Sequence, residues 1–524
     1  MFDLHRWTRI MNEKDTQTTH IEQSPVGENV DWLLFGFGAF LLLLVVATIV
    51  IFPDWSAITI DKLYQNITSR LGVLYVLIAI TLLIFLLSVA VSKHGNVVLG
   101  NANKLAYSHF SWAAMLFCAG IGASLIYWGA TEWTFYYVNP PFGLEPESQE
   151  AITWAISYGI FHWGPIGWAF YCLPALALAC TYHVKKVPSL RLSAACEPVL
   201  KNQTNKWPGR LVDLVFIVGV IGTAATGLGF GTSLVASATT ELTGIRDGIG
   251  LQSLIIFLAT ALIALSVYRG LDRGIKLLSN INACLALVLI VFVLLAGPTK
   301  FILEMGLVSV GNVIQNFPTM LFWTDPLERG EFVESWTIFY WAWWLAMGPF
   351  IGMFVCKISE GRTIRALIFG MLGWGSFGCA LFFVVLGNYA LSLELEGTYP
   401  VIKQATDISP SSAIAGIIAL LPLGKFWLIF IALIGLIFMA TTYDSASYTI
   451  AAGATRSLQE HQHPARWHRV FWAVALGALP TCLLFVGGLR ELQTASLVAS
   501  LPLLGIYIVL GISVVRMLRE FSKS

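Results

Sequence analysis

Charge is what this sequence has least of. Of its 524 residues, 12% are charged and 57% hydrophobic, whereas a soluble protein carries about 25% charged residues. The shortage is concentrated: Trp32–Phe52, Leu71–Val91 and Leu277–Ala296 contain no Asp, Glu, Lys or Arg. Each run is close to the roughly 20 residues that cross a hydrocarbon core about 30 Å thick. Backbone groups in lipid must be bonded within their own segment, so such runs are helices and the chain is an all-α membrane protein. Metal and disulfide spacing is also missing. The eight cysteines (Cys118, Cys172, Cys180, Cys196, Cys284, Cys356, Cys379, Cys482) include no Cys-x-x-Cys pair and lie mostly in apolar segments, as small buried hydrophobes do. A net charge of +1 leaves no electrostatic footprint for nucleic acid. Residues 1–31 are polar, with no apolar core of the signal-peptide kind, so the first run is expected to stay as an anchor behind a cytoplasmic N-terminal tail.

Apolar windows of about 19 residues fall near 32–52, 71–91, 108–130, 152–180, 211–231, 251–268, 276–296, 335–356, 364–391, 424–453, 468–487 and 494–515, predicting twelve spans in one transmembrane domain over 32–515. Residues 516–524 are left as a short tail. The segment 300–322 is amphipathic, which suits a helix lying at the interface. Glycine clusters interrupt the third window (Gly120, Gly122) and the fifth (Gly222, Gly227, Gly229, Gly231). They mark either close helix packing or unwound backbone that coordinates ions or substrate. The loops after even-numbered windows are basic (Lys185, Lys186, Arg191; Arg269, Arg273; Lys357, Arg362, Arg365; Arg456, Arg466), while 133–150 has no Lys or Arg. The positive-inside rule then places both termini in the cytoplasm.

Three intramembrane clusters call for an explanation. Trp336, Trp341, Trp343 and Trp344 open the eighth window; His162, Trp163, Trp168 and Tyr171 lie in the fourth; Thr441, Thr442, Asp444 and Ser445 lie in the tenth. Trp336 suits an interfacial belt. The others lie deeper and form either core packing or two opposed aromatic faces that take a weakly hydrated cation by cation–π attraction, about 0.5–2 kcal/mol per contact. Quaternary ammonium is the natural occupant, since methylation removes its hydrogen bonds and keeps its charge. Asp444 is costly at bilayer depth. It either helps the neighbouring hydroxyls bind a small cation or caps a helix end. No convergent His, Cys and carboxylate set points to an enzyme.

The run Trp336–Trp344, continued by Gly348-Pro349-Phe350-Ile351-Gly352 and Glu360-Gly361-Arg362-Thr363-Ile364-Arg365, resembles the signature of the betaine/choline/carnitine transporter family. Trp112–Tyr127, His162-Trp163-Gly164, Ser279–Asn282 and Thr442–Ser447 extend the resemblance over most of the chain. It implies the inverted five-helix repeat fold of sodium-coupled amino-acid symporters, with spans 3–7 and 8–12 as the repeats and spans 1 and 2 as additions. It also implies a homotrimer in the bacterial inner membrane, no cofactor, and sodium as the coupling ion. Trp163, Trp168, Tyr171, Trp343 and Trp344 would form the substrate cage, with Trp336 and Trp341 along its approach. Sodium would draw on Cys118, Ile121, Phe438, Thr441 and Thr442.

The chain also departs from the family's patterns. Met347 stands where sodium-coupled betaine carriers have another Trp, which softens one cage wall. Sodium-independent exchangers use an Arg where this chain has Asn282, and they lack the acid kept here as Asp444. Sodium-coupled import of betaine, carnitine, choline or a sulfonium analogue is therefore the first expectation, and precursor/product exchange the second.

Overall fold

The structure, a computed structural model, describes residues 30–521 except 102–104, 120–121, 270–271, 328–329, 459–462 and 487–488. The polar segment 1–29 and Ile121 lie outside the described residues. The apolar runs form helices α1 (Trp32–Ile51), α2 (Pro53–Val91), α3 (His109–Ala119), α4 (Ala123–Val138), α5 (Gln149–His162), α6 (Pro165–Ala179), α7 (Trp207–Thr243), α8 (Ile249–Arg269), α9 (Asp272–Ala296), α10 (Thr299–Phe322), α11 (Val333–Ile358), α12 (Ile364–Leu395), α13 (Pro410–Ala419), α14 (Gly424–Gly453), α15 (Arg466–Val486) and α16 (Leu489–Phe521). Among the described residues, eight helices are long and apolar enough to cross a membrane. The number is ten if each of two bent pairs counts as one span. One pair is α3 with α4; in the other, α10 leaves the end of α9 at 111°.

Local chemistry sets several of these boundaries. Proline lacks an N–H and its φ is preset for a helix, so it starts helices well; Pro53 and Pro165 occupy first turns here. The Ser148 hydroxyl accepts from the Ala151 N–H at 3.1 Å to cap α5, and Thr363 caps α12 by the same contact to Ala366. Gly244 ends α7 in the left-handed region (φ 75°), where a side chain would be strained.

The two glycine clusters have different outcomes. Around Gly122 the third window is broken into α3 and α4. The fifth window is not broken: α7 runs 37 residues without interruption. Its glycines serve contact instead, since a Cβ on Gly231 would lie 2.8 Å from the Met439 side chain of α14, and one on Gly222 2.8 Å from Ala499 of α16.

Burial separates centre from periphery. The apolar window of α5–α6 is 94% inside the protein and that of α11 83%, against 28% for α1. The fourth and eighth spans therefore form the middle of the bundle, and α1 lies against its outside. The last helix continues past the window end near 515 as far as Phe521, so most of the expected tail is helical. Arg516 donates to the Pro198 carbonyl at 2.7 Å, and Glu520 pairs with Lys185 at 3.1 Å. At the start of α1, the Asp31 N–H donates to the Ala454 carbonyl (2.8 Å), and its carboxylate accepts from Arg191 (3.1 Å) and Arg210 (3.4 Å). Burial pushes the Asp31 pKa up, but the hydrogen bond and charge of Arg191, with Arg210 and Arg456, hold it below the usual value.

Candidate binding site

Helices α6, α7, α11 and α14 enclose, with the α3–α4 break, a cavity of about 430 Å³. Along α11 its lining extends from Trp343 to Lys357, about 21 Å at 1.5 Å per residue. Rings gather at the Trp343 end. Trp343 and Trp344 stack at 4.9 Å and 13°. Trp163 meets Trp344 edge to face at 4.8 Å and Trp343 at 5.8 Å, and Tyr171 meets Trp344 at 5.8 Å. Trp168 packs edge to face on Tyr171 at 5.4 Å. Edge-to-face pairs set a ring's positive rim against a negative face, the same electrostatic preference that attracts a cation.

The rings are held firmly. The Trp344 indole N–H donates to the His162 carbonyl at 2.9 Å, and that of Trp163 to the Glu132 carboxyl at 3.1 Å. Trp163 is not on the helical face of Trp168 and Tyr171, as the spacing suggested. It caps the end of α5 (φ −93°, ψ 4°), just before Gly164 and Pro165 start α6, and this break turns its ring into the cavity. Trp168 lies over Gly375 of α12, where any Cβ would overlap its indole. Met347 lines the cavity as the softer wall, and its sulfur accepts from the Tyr171 hydroxyl at 3.6 Å.

Two expected residues are elsewhere. Trp341 is fully buried against Phe161, His162 and Phe170. Trp336 packs on Trp128, Phe135 and Tyr136. Neither lines the cavity; both belong to an aromatic layer that closes it beyond the Trp343 end. The cause is helical phase: Trp341 is 60° from Trp344 but 160° from Trp343, so it turns away from the face that these two share.

Toward the other end, the lining includes Cys118, Phe438, Thr441, Thr442, Asp444 and Ser445. The Thr441 hydroxyl donates to the Ile437 and Phe438 carbonyls of its own helix (3.0 and 3.1 Å). Its oxygen keeps acceptor capacity that could serve a small hard cation. Asp444 does not cap a helix. It is within continuous α14, about 30 Å from its start, and accepts from Arg469 at 3.1 Å. Arg469 and Lys357 both lie over the Tyr448 ring, at 5.4 and 4.9 Å. Lys357 and Ser445 are exposed, so the cavity opens at this end. Asn282 does not line it: its side-chain amide donates to the Ile434 carbonyl at 3.1 Å and ties α9 to α14.

The sequence reading missed Glu132. The third window ended at 130, but α4 continues to Val138 and buries Glu132 completely. Tyr136 one turn later, a polar partner at i+4, was the available signal. Tyr340 was passed over among the tryptophans around it; its hydroxyl also donates to Glu132.

The sequence matches the profile of the BCCT, betaine/carnitine/choline family transporter, over residues 33–523. It is 35% identical to a carnitine transporter of Acinetobacter baumannii, over 88% of this chain and 84% of that protein. It is 33% identical to a glycine betaine transporter of Bacillus subtilis (86% and 88%), and 32% identical to a high-affinity choline transport protein of Escherichia coli (92% and 71%).

Proposed function

The chain belongs to the betaine/carnitine/choline transporter family, and from that premise we propose that it imports a small quaternary-ammonium compound by alternating access, driven by sodium. It is a transporter and not an enzyme. The observation that carries the substrate class is the convergence of Trp163, Trp168, Tyr171, Trp343 and Trp344 on one cavity, from the α5–α6 break, α6 and the distant α11. Five rings offer π-faces and no full charge within the lining at that end, which suits a methylated cation better than a hydrated one. Met347 gives this wall a flexible thioether, so the cage accepts some variation in the shape of the head.

Sodium coupling is supported by the hydroxyls of Thr441 and Thr442 beside Cys118 and Phe438 on the same cavity, and by Asn282 in place of a fixed cation. Twelve spans follow if α8 and α15 also cross the membrane; spans 3–7 and 8–12 would then be the inverted repeats. In this reading the termini and the mouth at Lys357 face the cytoplasm of a bacterial cell, and the protein is a homotrimer in the inner membrane with α10 at the subunit contact.

Uptake into proteoliposomes tests the coupling. Accumulation of radiolabelled betaine, carnitine or choline should follow an inward sodium gradient. Uptake indifferent to sodium but dependent on substrate loaded inside the vesicles overturns symport and establishes exchange. Tryptophan-fluorescence titration against the same panel and a sulfonium analogue identifies the substrate.

A further inference from the structure

Among the described residues, Glu132 is a buried acid beside the cage for which the transport scheme above has no use. It is 0% exposed. Three donors converge on it from three elements: the Tyr136 hydroxyl of α4, the Tyr340 hydroxyl of α11 and the Trp163 indole N–H at the α5–α6 break. Among the described residues no Lys or Arg pairs with it. The nearest basic group is His162, whose Nδ1 is 3.9 Å from Oε1. That nitrogen is 2.9 Å from the Tyr136 hydroxyl, and Nε2 is 3.1 Å from the Thr337 hydroxyl.

Counting protons allows two arrangements. With Glu132 ionised, Tyr136 donates to it, His162 donates from Nδ1 to the Tyr136 oxygen, and the neutral ring accepts at Nε2 from Thr337. With Glu132 protonated, the carboxyl donates to Tyr136, Tyr136 to Nδ1, and Nε2–H to Thr337. Only the ionised form accepts from all three converging donors, Tyr136, Tyr340 and Trp163, and donors aimed at a carboxyl favour its charge; that form holds a negative charge behind the Trp163 ring.

That ring lines the cavity, and the charge is bonded to its N–H edge. A carboxylate there pushes electron density into the indole and adds its own field in a medium of low effective dielectric. Trp344 offers the contrast, because its N–H donates to a neutral carbonyl, that of His162. We propose that Glu132 is the counter-charge of the cage: a positioning and specificity-determining residue that acts through the Trp163 indole, so that the cavity selects a cationic head over an uncharged head of the same shape. The proposal rests on the cage reading above.

The test uses the full-length protein in nanodiscs and two probes: choline and its uncharged tert-butyl analogue, in which carbon replaces nitrogen. Isothermal titration gives the affinity ratio of the two. The wild type should prefer choline. Glu132→Gln should lower choline affinity about tenfold, the order expected for losing one charge nearby in a medium of effective dielectric about 20, and should leave the analogue within about twofold. An equal loss for both probes overturns the proposal in favour of a packing role, and so does an unchanged ratio. If the wild type binds choline no better than its analogue and Trp344→Ala changes neither affinity, the cage reading itself falls. Should Glu132→Gln fail to fold, Trp163→Phe against Trp344→Phe decides. Both remove one indole, but only the first cuts the link to a charge, so its ratio should fall at least threefold further; equal falls sink the idea.

Discussion

The two ends of the cavity are built on different principles. Beyond Trp343, rings interlock and buried hydrogen bonds join α4, α5 and α11: Trp128 and Tyr136 pack on Trp336, Trp341 packs on His162, and Glu132 and His162 tie their neighbours. Toward Lys357 the lining hydroxyls bond mainly within their own helix, as Thr441 does. The cross-helix ties there include the Asp444–Arg469 pair and the Lys357–Tyr448 contact at the mouth, with buried bonds from Trp112 to Ser359 and from His183 to the Cys356 carbonyl beside it. Dense apolar packing with completed buried hydrogen bonds resists opening, whereas elements with local hydrogen bonds and wet contacts are those that open at low cost. The Trp343 end is thus the more densely braced of the two.

This contrast can be broken at several points. The largest expected effect is at Trp341→Ala, which should cost about 3–5 kcal/mol of stability while changing ligand affinity less than any cage substitution. Denaturant unfolding in detergent checks it, and a fully stable variant that no longer binds would show that Trp341 is not scaffold. Trp344→Ala, one turn along, should weaken quaternary-ammonium binding by about 1–3 kcal/mol; unchanged affinity in a fluorescence titration removes it from the cage. Gly375→Ala should displace the Trp168 ring at a cost of about 1–3 kcal/mol, seen as a lower melting temperature together with weaker binding. Toward the Lys357 end, Thr441→Ala with Thr442→Ala should change stability by less than about 1 kcal/mol yet abolish the sodium dependence of uptake; persisting dependence moves the ion elsewhere. The smallest effect concerns Asp31. Its folded pKa is depressed, so its contribution is present above the unfolded value near pH 3.9 and is lost as pH falls through the folded one. Acidification should loosen the Asp31–Ala454 contact, read as faster amide exchange there, and Asp31→Asn should abolish that pH dependence.

The helical class and the aromatic site were legible because missing charge and ring clusters are composition-level signals. What failed depended on neighbours. The glycines near Gly122 and Gly231 look alike in sequence, but the Met439 and Ala499 contacts that keep α7 continuous come from distant parts of the chain. Trp341 and Trp344 share a motif; helical phase separates Trp341 from the face of Trp343 and Trp344, and the position of α5 and α6 decides which face meets the cavity. Trp163 lines the cavity by a route the spacing did not give: the Gly164-Pro165 pair that turns it inward was visible, yet the segment was read as one helix. Glu132 was lost to a window boundary, because an averaging scale ends a span where the first acid lowers the mean. Asp444 was noticed, but its partner Arg469 is on another helix.

The near-complete enclosure of α5–α6 and α11 has a consequence for how the protein is made. α5–α6 and α11 have mean hydropathies of 1.3 and 1.5 in their best windows, the lowest of the eight long spans, against 2.8 and 2.9 for α1 and α2. Segments that never face lipid are released from the need to be greasy, but each emerges from the ribosome alone. Their insertion then depends on companions already in the bilayer, and α1 and α2, synthesised before them and the most apolar of the eight, are placed to receive them.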